Sequence, residues 1–524
     1  MEMTRKKLKP IVFFPSFSLL IIAILLNFFD YDSFLRLTTI AKDFMTVQCG
    51  WIFSLMGVAC FLVIIGAYFS PLGKIKIGGP QAKPLLKKSS WFSITLCTTI
   101  AAGIMFWGTA EPIWHLAYPP ASLGIEPMSP VAAKFAMETL FLHWTFIPYA
   151  IYAVPTVVFA FVYYNMKRSF SVGSQISPIL GNRDQRKIDA VIDAVVLFTV
   201  AAGISASFGT SVMNMGGGMN ALFGLQNSKA LWIVLTIFGT AAFVISSATG
   251  LFKGIRILSD FNVYLYYFII AVIVLFGPAT YVFSFGTEAF GGFATNIFEK
   301  ALFTGTAASD TWATGWTTFY WSNWMAWAPV AAVFLGRITY GYTIKEVITM
   351  NFVIPSVFSG IWMTVLGGTA VNFQMTGKVD ILAIMLDQGS AAAGYAVLQQ
   401  LPFSNLLIGI YLIAVFVLFI TATDSTTNAM ASISTTGITD GTQEAPVYIK
   451  IVWGAAVGFV SLIFISTLGI DGIKMLSYLG GFPALFLGVL SVISLVYIMG
   501  KPHKFDIFEK ERNKPLCRST EDEV

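Results

Sequence analysis

The residues in this chain most able to do chemistry are aromatic. "GWTTFYWSNWMAWAPVAAVFLGR", Gly315 to Arg337, places Trp321, Trp324 and Trp327 three apart, with Trp316 ahead of them and a polar Asn323 among them. Helical geometry sets residues at that interval along one side. "HWTFIPYAIY" adds Trp144 and Tyr152, eight apart, with Tyr149 beside them. A quaternary ammonium has no N–H to donate, so a carboxylate offers it only Coulomb attraction. A ring face attracts it through the quadrupole, by up to about 2 kcal/mol or more in a dry site. Two aromatic-lined helices facing each other would form a cage. The competing use of Trp and Tyr is an anchoring belt at a membrane interface. Trp316 fits a belt, whereas Trp321 to Trp327 run deeper into their segment.

Other chemistry has little support. Cys49, Cys60, Cys97 and Cys517, and likewise His115, His143 and His503, are scattered without metal-ligand spacing. No zinc-protease motif, phosphate loop or nucleophile elbow is present. Asp189 and Asp193 sit at the inner end of one apolar segment, Asp424 at the inner end of another, and Glu138 opens a third. None reads as mid-depth, so a proton relay, a carboxylate partner for a bound cation and an enzyme's acid–base pair are all unexpected. Gly103 and Gly108 lie among small residues in "TTIAAGIMFWGTAEPIW", and "NMGGGMN" spans Asn214 to Asn220. Such glycines serve close helix packing or local unwinding, and the segments alone leave both open.

The elements that must hold these residues are membrane spans. The chain has 524 residues, 56% hydrophobic and only 11% charged, against about 25% charged in soluble proteins. Twelve apolar segments approach the roughly 20 residues a bilayer requires: 11–30, 51–70, 91–110, 137–163, 190–220, 231–252, 262–284, 316–337, 349–371, 404–424, 448–468 and 475–499. With both termini cytoplasmic, 25 of the 32 Lys and Arg fall inside and 7 outside, a strong positive-inside pattern. The net charge of +5 therefore reflects topology and gives no reason to invoke nucleic acid. The N-terminal basic stretch leads into a retained first span rather than a cleaved signal. Two outer loops are long, 285–315 and 372–403, the second with a short helix as cap or gate. The tail after Gly500 is expected to be disordered.

At this point the residues resemble a family. "GIMFWGTAEP", "HWTFIPYAIYAV", "FYWSNWMAWAP" with "FLGRITYGYTIKEVI", and "TATDSTT" occur in the order and spacing of the betaine/choline/carnitine transporters, from about residue 10 to 500. The resemblance implies an all-α polytopic membrane protein of twelve transmembrane helices with a LeuT-like inverted repeat of five plus five helices. Segment by segment this gives an N-tail (1–10), two extra N-terminal helices (11–90), a first repeat (91–284), an outer loop (285–315), a second repeat (316–499) and a C-tail (500–524). It further implies a bacterial cytoplasmic (inner) membrane location, a homotrimer, and alternating access around a site between spans three, four and eight. No cofactor is implied, although Na+ is a coupling ion for some members.

The carry-over is uneven. Trp144, Tyr152, Trp321, Trp324 and Trp327 match the family's box aromatics, and Tyr149 stands where a Trp is usual. Asn323 replaces another Trp of the betaine transporters. It either turns away and alters packing or bonds a substrate group that trimethylglycine lacks. The family's GxGxG stretch reads Thr99-Ile100-Ala101-Ala102-Gly103 here, so Ala101 and Gly103 would border the substrate, whose carboxylate is implied to meet backbone N–H groups nearby. For sodium, the span-five hydroxyl positions are Val200 and Ile204, and Ala422 follows Thr421. At most one site remains, around the Ile100 carbonyl and Thr421. The resulting expectation is secondary transport of a small zwitterion or quaternary ammonium of the betaine, carnitine or choline type. Its alternatives are sodium-independent substrate/product antiport, transport of another zwitterion such as taurine or ectoine, and a membrane ligand sensor that moves nothing.

Overall fold

The computed structural model describes residues 7–100, 103–181, 185–248, 251–437 and 445–512, and among these every regular element is a helix. Eighteen helices matter here. The first seven are α1 (Pro10–Phe29), α2 (Tyr31–Asp43), α3 (Gly50–Phe69), α4 (Lys88–Ile100), α5 (Gly103–Ala117), α6 (Pro130–Trp144) and α7 (Phe146–Ala160). Next come α8 (Arg186–Phe223), α9 (Lys229–Ala248), α10 (Leu251–Phe276), α11 (Ala279–Leu302), α12 (Thr317–Ile338) and α13 (Ile354–Met375). The last five are α14 (Ile381–Gln388), α15 (Ala392–Gln399), α16 (Ser404–Ile433), α17 (Val447–Leu468) and α18 (Ile470–Gly500).

Among the described residues, ten helical runs are long and apolar enough to cross a bilayer, and α4 with α5 make an eleventh if counted as one bent span. Their axes differ by 53°. The break falls where the sequence offers a run of small residues. A second break separates α6 from α7 at Thr145, whose φ of −116° and ψ of −123° are not helical. α12 is 22 residues long but carries too many Trp, Tyr, Ser, Thr and Asn to pass as a lipid-facing span. Protein surrounds it instead, and every residue in it except Asn323 is buried. α7, α8 and α18 pack around it. Glycines permit that approach: a methyl on Gly203 would lie 2.9 Å from Ala326 Cβ, and one on Gly480 would lie 3.0 Å from the same atom.

Three expectations change. The segment 285–315, read as an outer loop, is mostly α11, with a kink at Asn296. Its buried residues Val282, Gly286, Ala289 and Phe293 keep a helical period against α6 and α13, while Phe283, Phe290 and Phe298 are exposed. Its glycines and polar residues masked that period, and a repeat boundary at 284 would cut the helix. The second long loop holds two short helices, α14 and α15, and α15 is a buried cap: Tyr395 donates to the Asn214 carbonyl at 2.9 Å. The triple glycine of α8 makes room for it, since a methyl on Gly218 would meet the Tyr395 hydroxyl at 2.7 Å. That resolves "NMGGGMN" as close packing within a continuous helix. The C-tail is helical at Pro502–Phe505 and Ile507–Arg512, with Phe508 seated against Gly79.

Candidate functional site

α5 presents Gly103, Trp107, Glu111 and His115 at four-residue intervals, a face that winds by about 40° per step around the helix. The inner half of that face opens on a cavity, and the outer half holds a buried carboxylate. The cavity is small, with about 30 Å3 open to the centre of a water-sized sphere. Thr99, Gly103 and Trp107 line it from α4 and α5, Trp144 and Tyr152 from α6 and α7, and Phe319, Asn323, Trp324 and Trp327 from α12. Ser207 and Thr210 of α8 and Ile473 of α18 complete the wall.

The rings are held edge to face. Trp324 lies 5.3 Å from Trp144 and 5.2 Å from Tyr152, centroid to centroid, at 76° and 66°. Both indole N–H groups are taken by protein: Trp324 donates to the His143 carbonyl at 3.1 Å, and Trp144 to Glu111 Oε2 at 2.7 Å. What the two indoles offer a ligand is their π faces. Gly103 is required for this geometry, because a methyl there would sit 2.8 Å from Trp144 Cη2.

Of the residues singled out in the sequence, Gly103, Trp144, Tyr152, Asn323, Trp324 and Trp327 come together on this cavity. Trp321 does not. It is fully buried, its Nε1 finds no hydrogen-bond partner among the described residues, and its ring lies against Gly57 of α3. Tyr149 packs its ring 5.8 Å from Trp324 but stands outside the lining, with its hydroxyl bonded to Ser359. Asn323 faces the cavity, and its Oδ1 accepts from Ser477 Oγ at 3.0 Å. Ala101 lies outside the described residues, and Ile100 ends α4. The Thr421 hydroxyl donates back to its own helix, to the Val417 and Leu418 carbonyls at 3.0 Å each, while Val200 and Ile204 are buried hydrocarbon.

The largest departure from expectation is Glu111. Intramembrane charge was read as nearly absent and the histidines as scattered. Instead Glu111, His115 and His143 are all fully buried together. Glu111 Oε1 lies 2.6 Å from His143 Nδ1 and 3.1 Å from His115 Nε2, which are hydrogen-bond lengths with protons between the atoms. Oε2 accepts from Trp144 Nε1 and from the Tyr320 hydroxyl. His143 Nε2 meets Thr317 Oγ1 at 3.1 Å, and its ring stacks on Tyr320 at 4.4 Å. A buried carboxylate without partners is prohibitively costly, and four converging donors remove that cost. The hub ties α5, α6 and α12 to one another and fixes the Trp144 ring on the cavity wall.

The family model described as betaine/carnitine/choline family transporter matches residues 11–504. The glycine betaine transporter OpuD of Bacillus subtilis is 28% identical over 489 residues, covering 92% of this chain and 93% of its own length. An ectoine/hydroxyectoine transporter of Virgibacillus pantothenticus is 28% identical over 472 residues, covering 89% of this chain and 92% of its own. The osmo-independent choline transporter BetT1 of Acinetobacter baylyi is 27% identical over 519 residues, covering 98% and 96%.

Proposed function

This chain belongs to the betaine/carnitine/choline family of membrane transporters, and on that premise we propose that it moves a small zwitterion with a substituted ammonium by alternating access, as a secondary transporter. The ammonium rests on the faces of Trp144, Tyr152, Trp324 and Trp327. The observation carrying this reading is that these four rings, drawn from three helices, line one cavity, with the indole N–H groups of Trp144 and Trp324 turned to protein acceptors. A cation stripped of water gains on such faces what it cannot gain from an anion it has no proton to offer. Counting α12 as a span gives twelve, with α4 to α10 and α12 to α18 as the two five-span repeats and both termini in the cytoplasm. Assembly as a trimer belongs to the same reading.

The experiment is uptake into proteoliposomes of glycine betaine, choline, carnitine, taurine and ectoine, with and without a sodium gradient and with and without counter-substrate inside. Trp327→Leu is expected to abolish uptake while the protein still reconstitutes. Near-normal uptake by that variant contradicts the cage. Sodium-independent exchange is a second reading, favoured by the hydrocarbon side chains of Val200 and Ile204 on α8. It leaves Thr421 and the Ile100 carbonyl as the remaining candidate sodium ligands. Uptake unchanged by the sodium gradient but stimulated by internal substrate supports exchange.

A further inference from the structure

The ring faces account for the ammonium end of a substrate and say nothing of its other end. α18 enters the cavity wall at Ile473, and the next residue is Lys474. Its Nζ lies 4.5 Å from the centroid of the Trp316 ring and 5.5 Å from that of Phe319, itself a cavity residue. It donates one hydrogen bond, to the Gly315 carbonyl at 3.2 Å. No carboxylate among the described residues lies within salt-bridge distance of it, and the side chain is only half-buried. An ammonium has three donors, so two remain for other acceptors. Asp471, three residues earlier on α18, and Glu111 of the hub attract this charge from a distance without forming an ion pair with it, so the ammonium rests on aromatic faces beside the cavity with no contacting carboxylate among the described residues.

Asn323 stands on the same flank. Ser477, three residues along α18 from Lys474, donates to Asn323 Oδ1 at 3.0 Å. The same hydroxyl also bonds the Ile473 carbonyl at 2.9 Å, and in either orientation of the amide at least one Nδ2 proton is left on the cavity wall without a protein partner among the described residues.

We propose that Lys474 and Asn323 form a carboxylate-accepting wall, through which this transporter prefers zwitterions over cations that share the same trimethylammonium group. The inference rests on the aromatic-cavity reading and deepens it. The Lys474 charge attracts a carboxylate and repels a bare cation, whereas neutral donors, the Gly103 backbone included, supply no such repulsion. Asn323 adds a directed hydrogen bond. The flexible lysine stem allows the ammonium to follow the substrate.

Glycine betaine and choline make the comparison, since they differ only in carboxylate against hydroxymethyl. Binding of each to the purified full-length chain is read by tryptophan fluorescence. The wild type is expected to bind glycine betaine at least about tenfold more tightly than choline. Lys474→Met, which keeps length and drops charge, is expected to bring the two affinities within about threefold of each other, mainly by tightening choline. Lys474→Arg, which keeps the charge, is expected to restore the preference. An unchanged ratio in Lys474→Met, or a wild type that prefers choline, overturns the inference while leaving the cage intact. Failure of the wild type to bind either ligand overturns the cage reading, and this inference with it.

Discussion

Glu111→Gln isolates the buried hub, because it keeps volume and removes one acceptor and the charge. An amide has one oxygen and one NH2, so one of the two pairs of donors must face an NH2. In one orientation that pair is Trp144 and Tyr320. The phenol can rotate to accept, but the indole N–H cannot, and it loses its charge-assisted bond, about 1.5–3 kcal/mol. In the other orientation the histidines face the NH2. Both must then change tautomer, and His115 Nδ1, which has no partner among the described residues, would carry a buried N–H at a cost of about 1–3 kcal/mol. Either way a loss of about 2–3 kcal/mol is expected. If the first orientation prevails, the Trp144 ring also loses its anchor, and up to about 2 kcal/mol of cation–π attraction is at risk, equivalent to about thirtyfold in affinity. The assay pairs thermal unfolding in detergent with glycine betaine binding. A clear fall in unfolding temperature is expected, with weaker binding. A variant that unfolds and binds as the wild type does would refute the claim that Glu111 holds the site together.

Two further outcomes follow from the same geometry. Gly103→Ala places a methyl 2.8 Å from a Trp144 ring that cannot retreat; overpacking of about 1–3 kcal/mol should appear as glycine betaine binding at least about fivefold weaker, read by fluorescence titration. Tyr149→Phe removes the bond to Ser359 and should lower stability by about 1 kcal/mol, while leaving glycine betaine affinity within about twofold because Tyr149 is not part of the cavity wall.

The apolar runs and the positive-inside charge pattern made the helices legible, since bilayer thickness imposes a length that a sequence cannot disguise. The aromatic wall was legible in part. Residues at intervals of three drift by about 60° per step around a helix of 3.6 residues per turn, so Trp321 and Trp327 diverge by about 120° and cannot share a wall, and Trp321 turns to α3. Glu111 was missed because the third apolar segment was closed at residue 110, one short of it, although α5 runs on to Ala117. His115 and His143 looked unrelated because sequence separation conceals adjacency between antiparallel helices. Trp107 and Phe319 were in plain view inside quoted motifs, and only the packing of α5 on α12 gives them a role. α11 escaped notice because its apolar stripe is narrow and interrupted by glycines.

The encasement of α12 bears on how the chain is assembled. A helix this polar gains little from lipid contact, and its stability comes from neighbours on every side. One of those neighbours, α18, leaves the ribosome well after α12, and it supplies Gly480 and Gly481, which let α12 seat. Until α18 arrives, the central helix has an open flank of Trp, Ser and Asn facing acyl chains or the translocation channel. On this packing, α12 is expected to reach its final seat only after α18 is in place. Defects in α18 should surface as failures of biogenesis at α12, far away in sequence, before they surface as failures of transport.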